Sequence, residues 1–92
     1  MHLFGRDKLE SLRGRERATD LWVSAWLSEV CHAAWAGPGD VLTQFPKALE
    51  IGSGKYRFSV SSGLHVIEVF VSFPQKVVLI TGLVNIEDAN GY

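Results

Sequence analysis

The residues best placed to do chemistry in this chain are Lys55 and Arg57, which share one face of an alternating segment and, with His65 nearby, could contact a phosphate. The same alternation sets Arg57 opposite Glu68 and turns His65 to the other face. The arginine is then half of a solvated cross-strand ion pair worth about 0.2–1 kcal/mol, and the three residues do not form an active site. His2, His32 and His65 fall on three different elements without ligand spacing, and the single Cys31 allows neither a cysteine zinc cluster nor an intrachain disulfide. Cys31 reads as a small buried apolar side chain, with a reactive thiol as the sharper alternative. Neither a glycine-rich phosphate loop nor a nucleophile elbow occurs. The expectation is therefore no metal, no cofactor and no assigned catalytic residue. Trp22, Trp26 and Trp35 are the other notable group, because three tryptophans strain the capacity of a small core. Core packing is the default for Trp22 and Trp26, and any tryptophan left partly exposed is a candidate anchor for a protein partner.

These side chains must be positioned by elements that the hydrophobic pattern locates. Asp7 to about Arg17 reads as a charged helix with Leu9 and Leu12 on one side, and Thr19 or Asp20 can cap a second helix running to about Trp35. In that second helix Trp22, Val23, Trp26, Leu27, Val30 and Ala34 recur at helical spacing, and Asp20, Ser24, Ser28 and His32 take the remaining faces. Gly37-Pro38-Gly39 ends it, Asp40 can cap a short turn through Phe45, and Pro46 stops that turn. From Lys55 the period falls to two, with Tyr56, Phe58 and Val60 alternating with Lys55, Arg57 and Ser59. Ser61-Ser62-Gly63 makes a hairpin turn into a long strand over Leu64 to Phe73. A two-residue loop pairs Tyr56, Phe58 and Val60 with Val69, Ile67 and His65, whereas a longer loop would carry Glu68 into the core. Val77 to Val84 is apolar on both faces, as in a central strand. Residues 85–92 form a polar tail without periodicity. The expected fold is α+β, a single domain over 1–92, with N-terminal helices packed on a small antiparallel sheet.

With 92 residues, 47% of them hydrophobic, the chain has the means to bury one modest core. It has no apolar run of the ~20 residues a membrane span needs, and its opening is not a secretory signal. A cytoplasmic protein is expected. Nine Lys and Arg against ten Asp and Glu leave a net charge of −1, which argues against a protein that lives on RNA. The arginines of the first segment are interleaved with Asp7, Glu10 and Glu16, which favours a solvated mixed-charge helix over an RNA-binding arm.

Particular residues narrow the fold further. The start Met1-His2-Leu3 with Lys8-Leu9, the Phe45-Pro46 pair, the Tyr56-x-Phe58-x-Val60 strand with its small-residue turn, and Val77-x-Leu79-Ile80 resemble the HigB-type toxins of the RelE/ParE superfamily. The likeness runs without a gap from about Lys55 to Asn90. It implies a toxin frame that enters the ribosomal decoding site, cuts messenger RNA and is neutralised by a partner antitoxin. It also implies strand arginines and a C-terminal Thr-His-x-Glu-Tyr-Asp-like segment as the cutting groups. Here the arginine positions hold Val66 and Thr81, the histidine position holds Ile86 and the tyrosine position holds Ala89, so only acidic character at Asp88 remains. Acid–base help alone is worth about 10²- to 10⁴-fold in such chemistry, and its groups are missing.

The expectation is a HigB-like protein without catalysis that acts by binding a macromolecule, either a decayed toxin held by its antitoxin or a mobile-element inhibitor of a host complex. Lys55, Arg57, Trp22, Trp26 and Trp35 are its candidate RNA- or partner-binding residues. A protein partner is expected, with the ribosome and its message as the alternative and no membrane or small-molecule cofactor. The competing readings are a ribosome-dependent messenger RNA endonuclease with relocated groups and a structural, oligomerising domain.

Overall fold

The structure is a computed structural model that describes residues 1–12, 14, 16–60 and 65–85, with the backbone alone at Asn85. It is α+β: a 3-10 helix and two α-helices stand on one face of a five-stranded sheet. The chain opens with β1 (His2–Phe4), and a 3-10 helix follows over Arg6–Leu12. That segment is helical as expected, but at three residues per turn, and it ends at Leu12 where a helix reaching about Arg17 was expected. Lys8 N–H donates to Gly5 O at 3.0 Å, and at this pitch Leu9 and Leu12, three apart, stack on one side and are both buried.

Helix α1 (Arg17–His32) presents Trp26 and Val30 to the core, with Trp22, Val23 and Leu27 half-buried around them and Ala34 beyond its end and exposed. It starts earlier than its Thr19 or Asp20 capping signal suggested, because Glu16 takes the extended N-cap position. Thr19 then turns inward and its hydroxyl donates to Glu16 Oε1 at 3.5 Å. Helix α2 (Pro38–Gln44) has Pro38 in its first turn, where no N–H is needed, and Asp40 Oδ2 accepts from the Ala36 N–H at 2.8 Å.

The strands β2 (Leu49–Gly52), β3 (Lys55–Ser59), β4 (His65–Ser72) and β5 (Val77–Asn85) complete a sheet of order β1-β5-β4-β3-β2. The β3–β4 register is the one the alternation requires, with Tyr56 opposite Val69, Phe58 opposite Ile67 and Arg57 opposite Glu68. The Ser61-Ser62-Gly63 turn and the tail beyond Asn85 lie outside the described residues. The expected antiparallel sheet is in fact mixed: β1 runs parallel to β5 and makes β5 a central strand, while β2 adds a short, bulged edge on the far side. Three and four residues are too few for periodicity to reveal either edge.

The core lies between the helices and one face of the sheet. Tyr56, Phe58, Ile67, Val69, Val78 and Ile80 meet Trp26, Val30 and Leu12 there. Edge-to-face contacts link Trp26, Phe58 and Phe45 in series, at 5.4 Å between the first two rings and 5.1 Å between the last two.

Candidate functional site

Among the described residues the opposite face of the sheet carries no helix. Alternation along each strand sends Phe4, Leu79, Phe70, Lys55, Arg57 and Glu68 to that side, and the register aligns the first four in one row across β1, β5, β4 and β3. Phe4 is 54% exposed, Leu79 41% and Phe70 40%, and on the β2 edge Leu49 is 62% and Ile51 44% exposed. A shallow depression among Ile51, Lys55, Glu68, Phe70 and Thr81 lies in the middle of this face.

The charged groups there are few. Arg57 Nε donates to Glu68 Oε2 at 2.7 Å, so the guanidinium is already neutralised by a neighbour on the next strand. The Lys55 ammonium has no ion pair or hydrogen bond among the described residues. Thr81 sits at a bulge where Glu68 pairs with Gly82 and Val69 with Ile80, and its hydroxyl donates to Glu68 O at 3.2 Å. Both guanidinium and carboxylate of the Arg57–Glu68 pair retain solvent access, at 46% and 25%. A double-mutant cycle of Arg57→Ala and Glu68→Ala is therefore expected to give a coupling of about 0.2–1 kcal/mol that shrinks in high salt. A coupling above about 2 kcal/mol in urea titrations would mean that the pair is desolvated.

The residues singled out from sequence are divided by the sheet. Lys55 and Arg57 are on the open face, and the three tryptophans are on the helical side. Trp26 and Trp35 are 1% and 3% exposed, so both serve the core, where a surface anchor is out of reach of any partner. The Trp35 indole donates to Gln44 Oε1 at 2.9 Å, which ties the segment after α1 to α2. Trp22 alone keeps accessible surface, stacked on Trp26 at 6.4 Å and bordering a groove with Phe45, Pro46 and Ala48.

His2, His32 and His65 are indeed on β1, α1 and β4, and His65 lies on the core side, away from Arg57. Among the described residues no three His, Cys, Asp or Glu side chains come close enough to hold a metal. Cys31 is half-buried rather than enclosed, and its sulfur accepts from Arg6 Nη2 at 3.2 Å. Burial, and then the charge of Glu50 and its hydrogen bond, raise the Tyr56 phenol above its ordinary value of 10.0. It stays protonated at neutral pH and donates to Glu50 Oε2 at 3.3 Å, so it is no general base.

Val66 and Thr81, where the HigB resemblance would require arginine, both belong to the open face of β4 and β5. Val66 pairs there with Ser59 and Val84, outside the core cluster. Ile86 and Ala89 lie outside the described residues. The exposed apolar residues of this face were not picked out as a site from sequence. Their one sequence signal was a strand apolar on both faces, which reads as a strand covered on both faces. No helix of the described residues is long and apolar enough to cross a membrane. No family model and no curated protein matches the chain.

Proposed function

We propose that this chain is a HigB-like protein without nuclease activity, which acts by binding another macromolecule on the open face of its sheet. The observation that carries the reading is the mismatch between β4–β5 and their surroundings. The sequence of β5 is apolar on both faces, yet the helices of the described residues cover only one, leaving Leu79 and Phe70 in solvent beside Phe4. Exposed aromatic and aliphatic side chains gathered in one row are the usual mark of an interaction surface.

The polar groups of the same face support binding over cleavage. Cutting RNA needs a base for the 2′-hydroxyl, cations for the phosphate and an acid for the leaving oxygen. Among the described residues this face offers one uncompensated ammonium, one guanidinium already held by a carboxylate, and no histidine beside them apart from His2 at the edge strand. Glu68 would add repulsion toward a phosphate. A decayed toxin held by its antitoxin and a mobile-element inhibitor of a host complex both fit this description.

The test is a cell-free translation reaction with purified protein, with message ends mapped on ribosome-bound RNA, alongside affinity purification from the native cell. Intact message and a stable co-purifying partner are expected. Codon-phased cuts would overturn the reading in favour of an endonuclease with relocated groups. A partnerless protein whose sedimentation depends on concentration would favour the oligomerising domain.

A further inference from the structure

The geometry points to a single amphipathic α-helix with an acidic flank as the occupant of the open sheet face, lying along the β4–β5 seam with its carboxylates toward Lys55. This rests on the binding reading above and specifies what is bound.

Three features of the face select that occupant. The first is width. Phe4, Leu79 and Phe70 are on successive strands of the sheet, so the apolar row spans two strand spacings, about 10 Å, which is close to the diameter of one helix. Along the seam the eight residues of β4 extend roughly 26 Å, the length of about 17 helical residues. The second is the condition of the sheet edges. β1 has three residues, and β2 has four with a register shift between Glu50 and Gly52. Short, bulged edges are poor templates for adding a strand, so a partner packs on the face.

The third feature is charge. Arg57 and Glu68 cancel, and Lys55 ends the apolar row as a cation without a counter-charge among the described residues. A second copy of this chain would bring another Lys55, and among the described residues of this face the Glu68 carboxylate is already held by Arg57, so like charges brought together would weaken association. A helix laid along the seam crosses the row at Leu79 and Phe70 and meets Val77 and Val84 on either side of it, so Leu or Phe at i, i+3, i+4 and i+7 covers the apolar positions while Glu on one flank faces the lysine.

The experiment uses the full chain and two synthetic peptides of about 18 residues with the same apolar stripe, one flanked by Glu and the other by Lys. Binding is followed by fluorescence anisotropy. The Glu peptide is expected to bind about 3- to 10-fold more tightly than the Lys peptide, and Lys55→Glu should reverse that order, which a merely structural role for Lys55 would not do. Leu79→Ser and Phe70→Ser, both at exposed positions, should each weaken binding about tenfold with the circular dichroism spectrum unchanged. Equal binding of the two peptides, no binding of either, or binding indifferent to Leu79→Ser would overturn the inference. So would a dimer in sedimentation that Leu79→Ser dissociates, which would assign the face to a second copy. Codon-phased message cleavage would remove the binding reading as well, whereas intact message with failed peptide binding removes the helix alone.

Discussion

Replacing Trp26 by alanine is expected to cost about 3–5 kcal/mol of folding stability, the range for truncating a large buried aromatic side chain. Trp26 is 1% exposed, stacks on Trp22 at 6.4 Å and meets the edge of Phe58 at 5.4 Å, so it joins α1 to β3 at the centre of the core. Its removal leaves a cavity that two rings on different elements would have to move together to fill. For a chain of 92 residues, total stability is about 5–14 kcal/mol, and the loss is a large part of it. The melting temperature should fall by about 12 °C or more. Trp26→Phe should cost less than Trp26→Ala, since it keeps a ring against Phe58 and deletes an indole N–H that finds no acceptor among the described residues. Circular dichroism with urea titration measures both. A loss under about 1 kcal/mol for Trp26→Ala would mean that α1 does not depend on this contact.

The second large effect is expected at Gly5, where the chain leaves β1 for the 3-10 helix. Gly5 has φ +88, and a Cβ there would stand 2.6 Å from the carbonyl oxygen of Ile80 and 3.2 Å from its Cβ. That oxygen belongs to β5, a strand held on both sides by β1 and β4, so it cannot yield cheaply. Gly5→Ala combines a left-handed penalty of about 1–2 kcal/mol with this overlap, and a total of about 2–4 kcal/mol is expected. Gly14 supplies the control, with φ +74 and nothing within 4 Å of its would-be Cβ. Gly14→Ala should incur the conformational part alone. If the two substitutions cost the same in urea titrations, the contact with Ile80 is not a constraint. Hydrogen exchange should locate the damage at β1, whose His2 N–H donates to Lys76 O at 2.8 Å.

Features that depend on local period were legible in the order of the residues. Alternation over Tyr56, Phe58 and Val60 fixed the register of the β3–β4 hairpin, because a slip by one residue would have exchanged Arg57 and Glu68 with core residues. Helical spacing from Trp22 to Val30 fixed the buried side of α1, and Pro38 with its glycines separated α1 from α2. The pairing of Arg57 with Glu68, and hence the weakness of any phosphate site there, followed from the same register.

Which apolar residues are covered depends on long-range packing. Trp35, Trp26 and Leu79 all carry large apolar side chains, yet the first two are enclosed and the third is in solvent, because the helices of the described residues pack on one face of the sheet. Hydropathy reports what a residue prefers and not whether a neighbour arrives to cover it. The edge strands were decided the same way. His2–Phe4 becomes β1 through parallel pairing with β5 more than seventy positions along the chain, and Leu49–Gly52 becomes β2 by pairing with β3. Backbone hydrogen bonds between distant segments carry no residue-specific signature, so segments this short acquire their structure from the strands beside them and not from their own residues.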